Sequence, residues 1–303
     1  MSRKHKPINE QVIVITGASS GIGLATAQAA AREGAKLVLA SRSGSALERI
    51  AGGLCAAGAD AIAVTCDVGD RKQVDRLARA AVDRYGRIDT WINDAGVSIF
   101  GRLDEATEED SRRLFETNFW GVYYGSLAAL PHLKNSGGVL INIGSEVSET
   151  GVALQGMYSA SKHAVKGLTD ALRVEIEDLD ESPVSIVLVQ PTAVDTPFAQ
   201  HARNYLMEEA RSSSPTVDPE RVAEAILECA VKPPRYRKVG SASKISTTAA
   251  KIAPGLGERM SGAPYGRLHT QVTARDREGA LHRPCEQSRV VGQTHGLHIE
   301  ESA

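Results

Sequence analysis

The chain of 303 residues lacks most features that would mark it for a specialised class. It has no excess of either charge, with 35 Lys and Arg against 37 Asp and Glu. That balance leaves no electrostatic footprint for nucleic acid or for an acidic membrane surface. Cysteine is scarce: Cys55, Cys66, Cys229 and Cys285 are scattered, with no C-x-x-C pair and no metal-like spacing. Free thiols in a reducing compartment are the simplest expectation, with neither a disulfide framework nor a metal. No stretch reaches the ~18 apolar residues of a membrane span. Met1–Pro7 is basic but has no apolar run of the kind a signal peptide needs. A soluble cytoplasmic protein is expected.

What is present is an alternation. From Gln11 to about Gly240, short apolar runs alternate with helical patterns, which predicts an α/β fold: a doubly wound parallel sheet covered by helices on both faces. Val12–Ile15 is a continuous β-branched run, as a fully buried strand requires. Further strands are expected at Lys36–Ala40, Ala61–Val68, Thr90–Asn93, Val139–Ile143 and Val184–Val189. Helices are expected from about Ile22 to Glu33, Gly44 to Gly58, Asp70 to Tyr85, Thr107 to Leu130, around Tyr158 to Asp178, and Glu220 to Ala230. The organisation read from this is a basic tail at 1–10, one catalytic and binding domain at 11–240, and an irregular extension at 241–303. The extension is rich in Pro, Gly, Ser and Arg, without periodicity or repeat. Its His282, Cys285, His295 and His298 match no standard metal spacing.

Two motifs carry chemistry. The first strand breaks at Thr16-Gly17-Ala18-Ser19-Ser20-Gly21-Ile22-Gly23, between strand and helix, where backbone N–H groups and a helix N-terminus face an anion. Gly17, Gly21 and Gly23 supply positive φ, close backbone approach and tight packing. The second motif is Tyr158-Ser159-Ala160-Ser161-Lys162, which sets a phenol and an ammonium one helical turn apart on one face. A nearby fixed cation favours the phenolate, so Tyr158 becomes a candidate general acid/base.

With these residues in order, the chain resembles the short-chain dehydrogenase/reductase family, of the single-domain type, over roughly Pro7 to Gly240. The glycine loop is followed by Asp67-Val68, Asn93-Asp94-Ala95-Gly96, Asn118, Ser145 thirteen residues before Tyr158, and Lys162. The ordered set is far more specific than any one of its members. The resemblance implies hydride transfer between a nicotinamide cofactor and a secondary alcohol or ketone. Tyr158 would move the proton, and Lys162 would lower its pKa and hold the ribose. Ser145 would bind the substrate oxygen, and Asn118 would position a relay water. Cofactor contacts are implied at Gly17, Ser19, Ser20, Gly21, Ile22, Gly23, Ser41, Arg42, Asp67, Val68, Asn93, Ala95, Gly96, Tyr158, Lys162, Pro191, Val194 and Thr196. A homo-oligomer, dimer or tetramer, is implied as well.

Each assignment has a plainer counterpart. Ser145 and Asp67 also suit capping positions, and Asn118 also suits satisfying backbone groups. His163 points away from Lys162 on a helix and reads as structural. Glu146 is either a pocket-rim residue or a solvated charge. Asp94 stands where the family usually has Asn, and Thr192 where it has Gly; neither is expected to touch the chemistry. An apolar substrate pocket is expected from Ile99, Phe100, Leu154, Met157, Phe198, Tyr205 and Leu206. The second strand ends in Ser41-Arg42 where NAD-preferring relatives carry Asp, so NADP is expected over NAD, with Ser19 as a further donor. A protein of another class, a dinucleotide-binding sensor or scaffold without catalysis, shares the fold, but would have no need of Tyr158.

Overall fold

A computed structural model describes residues 5–212, 215–240 and 269–292. Strands β1 (Val12–Thr16), β2 (Lys36–Ser41), β3 (Asp60–Thr65), β4 (Thr90–Asn93), β5 (Val139–Ile143), β6 (Ser185–Pro191) and β7 (Tyr236–Val239) form one sheet. Their order is β7-β6-β5-β4-β1-β2-β3, and every neighbouring pair is parallel. Chain direction across the sheet reverses between β1 and β4, which opens a crevice at their C-terminal ends.

Strand alternation sorts the core onto two faces. Ile13, Ile15, Leu37 and Leu39 pack with α1 (Gly21–Arg32), α2 (Gly44–Ala56) and α7 (Pro219–Val231). Val14, Val38, Trp91 and Leu140 pack on the other face with α3 (Arg71–Tyr85), α5 (Gly121–Ser136) and α6 (Gly156–Arg173). Both faces are buried, so the strands read as unbroken apolar runs.

Three boundaries differ from the sequence reading. The Thr107–Leu130 helix is α4 (Glu108–Phe115), a π-helical turn at Glu116–Trp120, and then α5, which continues through Pro131 to Ser136. Pro131 faces solvent, where the carbonyl it leaves unbonded can be hydrated, while Leu130 and Leu133 remain buried. The π-helical turn contains Asn118. Strand β7 was not expected, because Tyr236-Arg237-Lys238-Val239 is a short, largely polar edge strand without an apolar run. The third strand ends at Thr65, leaving Asp67 and Val68 in the loop beyond it.

The extension is anchored to the body. His269–Thr273 pairs antiparallel with Glu208–Ala210, and Ile99–Phe100 pairs with Arg203–Asn204. At the other end, Lys6 donates to Asp89 at 2.6 Å, which holds residues of the basic tail. Among the described residues no helix is long and apolar enough to cross a membrane.

Candidate active site

A cavity of about 260 Å³ lies along the crevice. Its floor is the glycine loop. Gly17 has φ +75°, and a Cβ there would sit 2.8 Å from the backbone of Ala95. At Gly23 a Cβ would come within 2.5 Å of the Gly17 carbonyl. The glycines therefore let β1, α1 and the β4 loop close on one another. Gly17, Ser19, Ser20, Gly21 and Ile22 line the cavity, whereas Gly23 acts behind it through packing.

Of the expected cofactor contacts, Ser41, Arg42, Asp67, Val68, Ala95, Gly96, Pro191, Val194 and Thr196 also line this cavity. Asn93 does not. Its amide accepts from the Trp91 indole at 2.8 Å and donates to Asn142 at 2.9 Å, inside the sheet. It ties adjacent strands together, so the expectation of a groove contact is corrected. Asp67 is not a helix cap either, since Asp70 accepts from the N–H groups of Lys72 and Gln73. Asp67 instead holds Arg113 at 2.5 Å.

Arg113 is a residue the sequence reading missed, because it lies on a helix far along the chain from Arg42. Burial and the Arg113 charge push the Arg42 guanidinium below its ordinary value, and Asp67 acts against them. Arg42 and Asp67 line this end of the cavity, with Arg113 behind them paired to Asp67 and Glu116. Thr117, also lining the cavity, has its buried Oγ1 without a partner among the described residues. The donors at this end suit an anionic ligand with polar edges.

At the other end the catalytic candidates converge. Tyr158 and Lys162 lie one turn apart on α6, with Lys162 Nζ 5.7 Å from the Tyr158 ring centre. Lys162 Nζ donates to the Ile143 carbonyl at 2.8 Å, at the end of β5. Ser145 does two things at once. It accepts from the Val147 N–H at 3.3 Å as a cap, and its hydroxyl is hydrogen-bonded to Tyr158. Ser145, Tyr158 and Lys162 all line the cavity.

Asn118 does not line it. Its Oδ1 accepts from the Val97 N–H at 2.9 Å, and its Nδ2 donates to the Val97 carbonyl and to Ser161 Oγ. The amide ties the β4 loop to α6, and the backbone groups it satisfies are those of Val97 rather than groups within its own helix.

Burial dominates protonation here. It raises the Tyr158 phenol above its ordinary value; the Ser145 hydrogen bond offsets this, and the Glu146 and Asp94 carboxylates add to it. The net shift is upward, opposite in direction to the lowering expected of Lys162. Lys162 itself is pushed down to about 8 by burial, with Asp94 acting the other way. Asp94 is raised to about 7, again by burial first, against Lys162 and a hydrogen bond from the Gly23 N–H. Asp94 therefore acts on the charge of Lys162, although from sequence this departure from the family pattern is expected to touch no proposed chemical group.

Glu146 proves to be a cavity residue, pushed up by burial and accepting from the Ala193 backbone. Among the expected pocket residues, Phe100 and Phe198 line the cavity, Phe198 with its ring 5.4 Å from that of Tyr158. The others lie behind it. Leu154 and Leu206 pack with Phe100, and Ile99, Met157 and Tyr205 belong to a cluster around Leu281. The remaining apolar wall is Val97, Val147 and Val152, and His201 and Cys285 close the mouth with Nε2 and Sγ 3.3 Å apart. His163 sets a ring nitrogen 2.9 Å from the Ser159 carbonyl, a structural contact. His282 pairs with Asp110 at 2.7 Å, and His295 and His298 lie outside the described residues.

Comparison with known proteins agrees with this geometry. The family model for short chain dehydrogenases matches residues 11–206. The uncharacterized oxidoreductase YxnA of Bacillus subtilis (strain 168) is 43% identical over 279 residues, covering 91% of this chain and 78% of YxnA. That coverage is more than residues 1–240 alone, so it reaches into the extension. Among solved structures, a short chain dehydrogenase/reductase from Burkholderia phymatum in complex with NAD is 29% identical, with TM-score 0.74 over 85% of this chain and 97% of that one. An alcohol dehydrogenase from the archaeon Thermococcus sibiricus, complexed with 5-hydroxy-NADP, is 32% identical, with TM-score 0.66 over 76% and 94%.

Proposed function

The chain belongs to the short-chain dehydrogenase family, and from that premise we propose that it is an oxidoreductase transferring hydride between NADP(H) and a secondary alcohol or ketone of moderate hydrophobicity. One observation carries the reading: Ser145, Tyr158 and Lys162 meet at one end of a cavity whose other end is the glycine loop and Arg42. A nicotinamide dinucleotide bound there supplies or accepts the hydride.

The chain's own residues supply the rest. Burial keeps the Tyr158 phenol protonated at neutral pH, which suits it to donate to the oxygen of a ketone, and Ser145 steadies both phenol and oxygen. Lys162 is fixed by the Ile143 carbonyl on one N–H and has two more for ribose hydroxyls. Asn118 positions the site by tying the β4 loop at Val97 to Ser161 on the helix that carries Tyr158 and Lys162. Phe100, Phe198, Val147 and Val152 exclude water and favour an apolar substrate flank.

NADP over NAD is supported by Arg42 on the cavity wall, within the electrostatic influence of Arg113, and by the absence of an acidic residue at Ser41. A 2′-phosphate would relieve the repulsion that the two cations exert on one another. A homo-oligomer, dimer or tetramer, belongs to the same reading. Trp120, Tyr123 and Tyr124 form a ring-to-ring cluster in which Trp120 is 42% exposed, and light scattering on the purified protein tests it.

The decisive experiment screens alcohols and carbonyl compounds while following nicotinamide absorbance with each cofactor. Turnover of a secondary alcohol or ketone is the expected result. Tight dinucleotide binding without turnover of any of them, and no change in binding on Tyr158→Phe, would leave the sensor or scaffold reading in its place.

A further inference from the structure

The C-terminal extension crosses the cavity rather than lying apart from it. Its residues 276–292 begin on the loop beyond β6, where Arg203 donates to the Arg277 carbonyl at 3.0 Å and the Ala280 N–H donates to the His201 carbonyl at 2.7 Å. Gly279 turns there with φ +56°, and a Cβ would lie 2.4 Å from the Ala202 carbonyl, so only glycine fits. Leu281 then inserts its fully buried side chain among Val97, Ile99 and Leu114. Next the segment reaches the start of α2, where Ser45 and Arg49 hold Glu286. It ends over the glycine loop, with the Gly21 N–H donating to the Arg289 carbonyl at 2.9 Å. Val290 packs on the core beneath.

Arg42 lies at the centre of this crossing. Its Nη1 donates to the Leu281 carbonyl at 2.8 Å and its Nη2 to the Ala280 carbonyl. A guanidinium has five N–H donors in a fixed plane, so two contacts leave three, and Arg42 also lines the cavity. Ala280, Pro284 and Cys285 line the same cavity as wall and roof, and the space continues beneath them from Val68 to Pro191. The segment covers the groove and leaves space beneath it; among the described residues it hydrogen-bonds the glycine loop itself only through the Arg289 carbonyl on the Gly21 N–H.

We propose that residues 276–292 are a strap that closes over the bound dinucleotide, with Arg42 as the latch shared between strap carbonyls and cofactor. This rests on the dinucleotide reading above. Strap and cofactor favour the same orientation of Arg42, so each stabilises the other by the same factor. The cofactor leaves only when the strap opens, and the strap therefore sets its release rate.

The test uses the full chain. Amide hydrogen exchange of 279–290 is measured with and without NADPH and NADH, and NADPH release is followed by stopped-flow fluorescence in wild type and in Leu281→Asp, which drives a charge into the strap's buried anchor. Exchange in 279–290 is expected to slow on cofactor binding, and release to accelerate by about tenfold or more in the variant. Faster exchange on binding would overturn the proposal by making the strap a competitor for the groove. Unchanged release in a variant whose strap exchanges faster would overturn it too. If Leu281→Asp does not fold, the wild-type exchange decides alone. Wild type that binds neither dinucleotide removes the oxidoreductase reading and the strap together, whereas binding with unaltered strap exchange removes only the strap.

Discussion

The two ends of the cavity use charge in opposite ways. At the end bearing Arg42, Arg113 pairs with Asp67, Arg42 donates to the Ala280 and Leu281 carbonyls, and all three groups are partly accessible. At the end bearing Tyr158, Lys162 is buried while Tyr158 and Asp94 are partly buried, and loss of water is the largest influence on all three. The first end selects a ligand by geometry of donors, while the second adjusts protonation by excluding solvent. Groups at the first end should therefore respond to substitution mainly in binding, and groups at the second mainly in rate and pH dependence.

Tyr158→Phe is the strongest way to break that division. It keeps the ring against Phe198 but removes the proton donor, so turnover should fall by the ~10²–10⁴-fold typical of general acid–base catalysis. Dissociation constants for the cofactor should hardly move. A variant turning over at near the wild-type rate would mean that the proton comes from another group.

The double substitution Ser41→Asp with Arg42→Leu probes the opposite end. A hydrogen bond to a charged group contributes about 1.5–3 kcal/mol, which is roughly 10- to 150-fold in affinity. The preference between NADP and NAD should reverse by a factor in that range, with turnover on the preferred cofactor retained. Equal wild-type dissociation constants for the two cofactors would remove the selectivity assigned to Arg42.

Asp94→Asn gives the smallest and most specific effect. The folded-state pKa of Asp94 is raised, so its contribution to stability is complete below its ordinary value near 4 and is lost as pH rises to about 7. Across that window the wild type should lose stability more steeply than the variant, by up to about 1.4 kcal/mol per pH unit. Lys162, lowered to about 8, stays protonated throughout and does not blur the difference. In the variant Lys162 also loses the carboxylate that holds it up, so the alkaline limb of the pH–rate profile should move to lower pH. Urea unfolding at pH 5 and pH 6 measures the first effect, and identical pH slopes in both proteins would exclude it.

Much of this site is legible in the chain because its signals are local. The β-branched run before Gly17, the glycine spacing and the four-residue step from Tyr158 to Lys162 are each set by neighbours in sequence. What escapes such reading depends on elements far apart. The amide of Asn118 is turned toward Val97 and Ser161 by the packing of α4 and α5 against α6, and nothing near Asn118 in sequence predicts it. Arg113 reaches Asp67 only because α4 lies beside the loop that follows β3. Tyr205 and Met157 look like pocket residues by composition, yet they pack around Leu281 once the strap is in place.

The sequence by itself determined the parallel sheet, the loop that faces an anion and the phenol–ammonium pair, since periodicity, glycine placement and helical spacing act over a few residues. Only the tertiary structure decided the protonation of that pair. Tyr158 next to Lys162 reads as a phenol held low, whereas its partial burial in the cavity wall and the carboxylates of Glu146 and Asp94 push it the other way. Desolvation is a property of everything packed around a group, and it is settled when β4, β5 and α6 close on one another, not by residues four apart.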